Sequence, residues 1–221
     1  MRFNDAIKGK QQLSIIAEVK LKSPSHGEFK GVTLEDQIKK YLAAGIDAVS
    51  LVTDPVRFNG SVELIRQTRE LTDLPIIRKD FIRDEKVLDE TKAYGADAAL
   101  LIVKDLTKEE LEKLVAHCIA IGIDPVAEVY SPADTEKIKD LPLETIILIN
   151  NRNLDTLEIN AAHGLEILPL INPDHTIIAA SGFATKAAVI PYRWRVDAIL
   201  VGTSLLTATD PSTIIHDLTT F

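Results

Sequence analysis

Cysteine is nearly absent from this 221-residue chain, and the single Cys118 permits no intramolecular disulfide. That usage suits a reducing compartment. Cys118 stands beside His117 in the helical-looking run LEKLVAHCIAIG. Adjacent residues of a helix do not face each other, so a buried structural thiol is expected rather than an activated nucleophile. No apolar stretch reaches the roughly 20 residues a membrane span needs. The opening MRFNDAIKGKQQ lacks the apolar centre of a signal peptide, and a cytoplasmic location follows as the expectation. Basic residues are outnumbered, 25 against 33 acidic, for a formal net charge of -8. This argues against a nucleic-acid or anionic-membrane binder while leaving room for a small basic pocket that takes an anionic metabolite.

Other chemistry is missing as well. The five histidines, His26, His117, His163, His175 and His216, show neither H-x-x-x-H nor H-E-x-x-H spacing, so no metal site is expected. There is no G-x-G-x-x-G after the first strand-like run and no G-x-x-x-x-G-K-[ST] phosphate loop.

What is present is ordinary globular composition, 46% hydrophobic and 26% charged, in a chain long enough for one sizeable core. A single domain over residues 1–221 is expected. AGIDAV at Gly45, YGADAA at Gly95 and IGIDPV at Gly122 each end a helical pattern with glycine and open a strand two or three residues later. RVDAIL at Asp197 continues the series without the glycine. The intervals fit successive βα units. Strands are expected near residues 13–20, 47–53, 75–79, 97–103, 124–129, 144–150, 176–180 and 197–201, with helical patterns between them such as LEDQIKKYLAAG, VELIRQTREL, DEKVLDETKAYG and TKEELEKLVAHCIAIG. The strands are continuous Val/Ile/Leu/Ala runs, as a parallel sheet covered on both faces requires. About eight such units in a chain of this length favour a closed (β/α)8 TIM barrel over an open doubly wound sheet.

Sites in such barrels lie at the carboxyl ends of the strands. Glu18, Lys20, Asp54, Lys79, Glu128, Asn150, Arg152, Ser181 and Gly202 fall there. One charged residue in such a place is most simply a solvated loop residue, but several acids and bases from different strands point to a shared site. Glu18 and Lys20, two apart in one strand, also project to the same face. Trp194, in PYRWRVDA ahead of the eighth strand, belongs to the opposite, stability face and reads as packing or a subunit contact.

From about Ile15 to the last helix the chain resembles the indole-3-glycerol phosphate synthase family. The matching motifs are AEVKLKSPS, LVTDPVRFNGS, PIIRKDF, GADAALLIV, AEVY, INNRNL, ASG and ILVGTSLL, in barrel order. The resemblance implies a cofactor-free lyase of tryptophan biosynthesis acting on a small phosphorylated substrate, 1-(2-carboxyphenylamino)-1-deoxyribulose 5-phosphate. That substrate is closed to indole-3-glycerol phosphate with loss of carbon dioxide and water. By the same resemblance, Lys79 is the ring-closing general acid and Glu128 the catalytic glutamate, with Glu18 and Lys20 the neighbouring pair that helps dehydration. The phosphate is assigned to Lys20 and the backbone N–H groups of Ser181, Gly182, Gly202 and Thr203, with Ser23 or Ser25 nearby. The anthranilate carboxylate is assigned to Arg152 and Asn150. Phe58, Phe81, Leu100, Leu154 and Leu200 are expected along the aromatic part of the pocket. No nucleic acid, membrane or metal enters this reading, and a monomer is compatible with it.

Three positions depart from the family pattern: Ala180 where a glutamate is usual, Leu148 for a glycine, and Asn153 for an aspartate. Only about a dozen residues precede the first strand, where relatives carry an extra helix and loop over the barrel mouth, so weaker closure over substrate is expected. The missing glutamate and the short N-terminus motivate a rival reading, a non-catalytic relative that binds a phosphorylated metabolite. Another phosphosugar-handling barrel of the tryptophan or histidine routes is the alternative within enzymes, but the ordered set Glu18, Lys20, Lys79, Glu128 stands against it.

Overall fold

Runs such as SIIAEV, AVSLV and IILIN are apolar at every position. A strand of this kind is stable only when both of its faces are covered. The computed structural model describes residues 3–24, 27–29, 31 and 33–220, and it covers them by closing the sheet on itself. The barrel strands are β1 (Ser14–Val19), β2 (Ala48–Val52), β3 (Ile76–Lys79), β4 (Ala98–Ile102), β5 (Asp124–Val129), β6 (Ile146–Asn150), β7 (Ile177–Ala180) and β8 (Ala198–Val201). All neighbours are parallel, in the closed order β1-β8-β7-β6-β5-β4-β3-β2. Closure is made on β1, where Ile16 pairs with Leu200 on one side and with Ala48 on the other. The architecture is therefore the expected TIM barrel, and each strand lies within two residues of its predicted bounds.

Helices α1 (Phe3–Ile7), α2 (Leu34–Ala43), α3 (Glu63–Arg69), α4 (Glu85–Ala93), α5 (Lys108–Ile121), α6 (Pro132–Ile138), α7 (Gly164–Ile167), α8 (Lys186–Val189), α9 (Thr203–Leu206) and α10 (Pro211–Thr219) accompany them. Outward strand residues such as Ile15, Ala17, Val49, Leu51 and Leu101 form one apolar layer with helix residues Ile38, Tyr41, Leu88 and Leu114. Inward residues such as Ile16, Ile77, Leu100, Val126, Leu148 and Ile178 fill the barrel interior. Local chemistry starts the helices: Thr107 and Glu110 make a reciprocal capping box at α5, as do Ser131 and Asp134 at α6. Cys118 is fully buried on α5, and burial pushes its thiol up to about 12, consistent with a packing role.

The recurrent aspartates of the sequence turn out to be clamps. Asp47, Asp97 and Asp197 lie just before β2, β4 and β8, and their carboxylates accept the backbone N–H of Ile15, Ile76 and Ile177 on the preceding strand, at 2.8, 2.9 and 2.8 Å. Each junction thus caps a strand start and pins its register. Asp124 does the same work for α1, accepting the Asn4 N–H at 2.9 Å.

Two features were not foreseen. A two-residue antiparallel pair, Lys22–Ser23 with Gly27–Glu28, follows β1. Helix α1 inserts Phe3, Ala6 and Ile7 into the interior cluster at the amino end of the barrel. There Thr176 Oγ1 donates to Asn4 Oδ1 at 2.6 Å and Ser14 Oγ to the Ile7 carbonyl at 3.2 Å. The helix ahead of β1 therefore plugs the end opposite the mouth. Trp194 corrects the packing alternative: it is 73% exposed, has φ of +65° and stacks with its neighbour Arg193, whose guanidinium carbon lies 4.6 Å from its ring centroid.

Candidate active site

The strand periodicity that fills the interior with Ile16 and Leu100 turns polar at the carboxyl ends. Glu18 and Lys20 project inward from β1 and its exit, 5% and 8% exposed, and Lys20 Nζ donates to Glu18 Oε1 at 2.7 Å. Lys79, ending β3, places its ammonium 3.9 Å from Glu18 Oε2 and 3.9 Å from Glu128 Oε2. Glu128 on β5 is 3% exposed. Its Oε1 accepts from Asn150 Nδ2 at 3.1 Å, while its Oε2 has no hydrogen-bond donor among the described residues. Two carboxylates thus face one ammonium across the top of the barrel.

Asn150 links this cluster to the next two strands. Its Oδ1 accepts both the Arg152 backbone N–H at 3.0 Å and the Ser181 hydroxyl at 2.9 Å. The Arg152 guanidinium donates to the Leu157 carbonyl at 3.0 Å, within a loop closed by the Arg152–Ile159 bridge. Gly202 sits against the ion pair so closely that a Cβ there would lie 2.6 Å from Glu18 Oε1 and 3.0 Å from Lys20 Nζ. A side chain at this position would push the Glu18–Lys20 pair aside, so glycine lets the pair keep its place against the backbone.

Electrostatics follow from the crowding. Burial by itself would raise the Glu18 carboxyl, but the charges of Lys20 and Lys79, the Lys20 hydrogen bond and the charge of Arg152 outweigh it and hold it below the ordinary carboxylate range. Glu18 is accordingly an anion at neutral pH. Burial lowers the Arg152 guanidinium, partly offset by the Glu18 charge.

These groups open into a cavity of about 640 Å³ at the carboxyl end of the barrel, within the usual size of a metabolite site. Of the residues expected there, Glu18, Lys20, Ser23, Phe58, Lys79, Phe81, Asn150, Arg152, Leu154, Ser181, Gly182, Leu200, Gly202 and Thr203 line it. Glu128 stands behind Lys79 and borders a side chamber of about 220 Å³ with Tyr130, Asp134 and Leu154. Ser25 lies outside the described residues. Leu100 is corrected to core: it is 1% exposed and pairs with Val126, whereas Ile102 is the residue level with Glu128, so Leu100 lies one layer below the cavity. Asp54 serves its loop, accepting the Arg57 N–H at 2.6 Å.

Arg57, Asp155, Leu157, Ile159, Phe183 and Ala184 also line the cavity and were not singled out. They belong to loops, where strand periodicity carries no signal. Only the adjacency of Arg57 to Phe58 in LVTDPVRFNGS offered one. Among the described residues no group of three or more His, Cys, Asp or Glu side chains is arranged to hold a metal ion.

The departures have distinct consequences. Ala180 lies between Asn150 and Leu200 by register and contributes a methyl to the cavity wall. Leu148, level with Glu128, is fully buried in the interior cluster. Asn153 still accepts the N–H groups of Asp155 and Thr156 at 2.8 and 3.1 Å, so it keeps the turn that an aspartate would make.

Solved structures with this fold include 3-hexulose-6-phosphate synthase from Salmonella typhimurium, with TM-score 0.74 at 14% identity over 93% of this chain and 96% of that one. Another is the tryptophan synthase α subunit from Legionella pneumophila, with TM-score 0.68 at 13% identity over 98% of this chain and 95% of that one. At such identities the likeness is one of fold. Sequence likeness is more specific. The chain is 37% identical over 222 residues to the indole-3-glycerol phosphate synthase of Lachnospira eligens, covering 97% of this chain and 82% of the relative. It is 38% identical over 210 residues to that of Aquifex aeolicus, covering 94% and 81%. The family model for indole-3-glycerol phosphate synthase matches residues 1–218. With that match running through every strand that carries the cluster of Glu18, Lys20, Lys79 and Glu128, the chain belongs to the indole-3-glycerol phosphate synthase family.

Proposed function

We propose that this chain is a working indole-3-glycerol phosphate synthase, a carboxy-lyase that converts 1-(2-carboxyphenylamino)-1-deoxyribulose 5-phosphate to indole-3-glycerol phosphate, carbon dioxide and water. Residues 1–221 act as one (β/α)8 catalytic domain. The observation that carries the reading is Lys79 held 3.9 Å from both Glu18 and Glu128 at the floor of the cavity. No helix among the described residues is long and apolar enough to cross a membrane, in keeping with a reaction run in the cytoplasm.

In ring closure the aromatic carbon that bears the carboxylate attacks the ketone carbon. This carbon is a weak nucleophile, so the carbonyl must be polarised. Lys79 gives its proton to the ketone oxygen as the new carbon–carbon bond forms, and carbon dioxide leaves to restore the ring. The resulting hydroxyl then departs as water with a proton from an acid, and a base removes the remaining ring proton. Glu128 suits the base: among the described residues its buried Oε2 has no hydrogen-bond donor, and it lies 3.9 Å from the Lys79 ammonium at the cavity. Glu18, kept ionised by its cationic neighbours, holds Lys20 in place as a cation rather than acting as an acid.

The two anionic ends of the substrate divide between two sets of groups. Lys20 lies beside Gly202, and together with the backbone of Ser181, Gly182 and Thr203 and nearby Ser23 it offers an ammonium and close main-chain approach to the phosphate. Arg152, steadied by Asn150, faces the anthranilate carboxylate, for which a guanidinium supplies paired donors. Phe58, Phe81, Leu154 and Leu200 take the ring.

The test is Lys79→Met beside the parent chain, followed by the fluorescence of the indole product. The parent should turn over. The variant should fold and lose about 10²- to 10⁴-fold in kcat, the usual scale for a removed catalytic acid. A folded variant with parental kcat would remove Lys79 from its role, and an inert parent would remove the reading itself.

A further inference from the structure

We infer that Arg57, seated on Phe81 at the cavity mouth, is a specificity residue that captures the substrate's anthranilate carboxylate before it reaches Arg152. The inference rests on the proposed activity and adds to it a residue that neither the motif comparison nor the strand-end rule singled out.

The loop after β2 holds Arg57 firmly. Its N–H donates to Asp54 Oδ1 at 2.6 Å, and the Gly60 N–H donates to the Asp54 carbonyl at 2.9 Å. Gly60 lies so near β2 that a Cβ would sit 2.4 Å from the Val52 carbonyl oxygen. From this loop the guanidinium carbon stands 4.2 Å over the Phe81 ring, and both residues line the cavity. Stacking occupies the flat face of a guanidinium and leaves the N–H donors along its edge available.

Among the described residues no partner takes those donors. Among the described residues Arg57 makes no side-chain hydrogen bond or ion pair. The other cations of the cavity are engaged: Lys20 with Glu18 at 2.7 Å, Lys79 between Glu18 and Glu128, and Arg152 with the Leu157 carbonyl at 3.0 Å. Arg57 is exposed whereas Arg152 is partly buried, so an incoming carboxylate meets Arg57 first. The chain carries a formal charge of -8, which repels a substrate bearing a phosphate and a carboxylate, and an uncommitted cation at the mouth offsets that repulsion locally. A substrate ring laid on the Phe58 and Phe81 wall brings its ortho carboxylate toward the guanidinium edge.

Arg57→Met and Arg57→Lys are compared with the parent by steady-state kinetics across a sodium chloride series. Competitive inhibition by 1-phenylamino-1-deoxyribulose 5-phosphate, which lacks the carboxylate, is measured on the same proteins. Arg57→Met should raise KM by roughly 3- to 5-fold, the size expected of an exposed ion pair, with kcat and melting temperature kept. The salt dependence of kcat/KM should become shallower, and Arg57→Lys should recover part of the loss. Inhibition by the decarboxylated compound should not change. An unchanged KM and salt slope, or equal weakening of the decarboxylated compound, overturns the inference while an active parent leaves the proposed activity standing. An inert parent overturns both.

Discussion

At the scale of single residues, the cluster is organised by which carboxylate is already spoken for. Glu18 is bonded to Lys20 and ionised, while Glu128 has one oxygen without a hydrogen bond among the described residues, 3.9 Å from the Lys79 ammonium. Two glutamates of like chemistry thereby acquire different tasks, and environment rather than residue type separates them. Ala180 bears on how complete the set is. It replaces a carboxylate the family usually carries with a methyl that is 2% exposed on the cavity wall. Ala180→Glu should raise turnover or lower KM, because a carboxylate at this strand end can find Lys20 or Lys79 as partner. An unpaired acid in a partly buried site would destabilise, so thermal unfolding is measured beside the kinetics. A well-folded variant less active than its parent would mean that this chain has made up for the missing acid elsewhere.

Among elements, the junctions that begin β2, β4 and β8 each tie a strand to its neighbour through an aspartate. Asp97 accepts both the Ile76 N–H at 2.9 Å and the Arg69 guanidinium at 2.5 Å. Removing it orphans a strand N–H at the amino end of the barrel. Asp97→Ala should lower unfolding stability by about 1–3 kcal/mol, the cost of a donor left unsatisfied, and Asp97→Asn should lose less because its amide oxygen still accepts. Denaturant unfolding measures both. Neither change should alter kcat or KM, since the site lies at the other end of the strands; an altered KM would show that register carries through to the mouth. These junctions also illustrate what sequence can and cannot convey. The aspartates were visible as a repeat, but a carboxylate accepting from a strand some 20 to 30 residues earlier is set by pairing between strands, which no local pattern encodes.

For the whole molecule, the charged site couples fold stability to pH. The Glu18 pKa is lower in the folded state than its ordinary 4.5, so folding favours the ionised form. Its contribution is complete above pH 4.5 and is lost as pH falls through the folded value. Melting temperature recorded from pH 7 downward should therefore fall more steeply below pH 4.5 in the parent than in Glu18→Gln, and the gap between the two should narrow. A gap that stays constant across this range would place the stabilising charge elsewhere.

The eight strands, the principal helices and the polar strand ends were legible in the sequence because each depends on local order: apolar runs, glycine at helix ends, and charges at i and i+2 that must share a face. Membership of the family was legible for the same reason, since its motifs are short and contiguous. Tertiary structure alone decided that Leu100 is core while Ile102 is level with Glu128, because barrel shear sets which layers meet. It alone sent α1 to the amino end, where Asn4 finds Asp124 and Thr176. It also brought Arg57 over Phe81, 24 residues away in sequence, and it left Trp194 in solvent. The first three are contacts between segments distant in the chain, which closure of the barrel brings together, whereas the exposure of Trp194 follows from no element among the described residues packing over it.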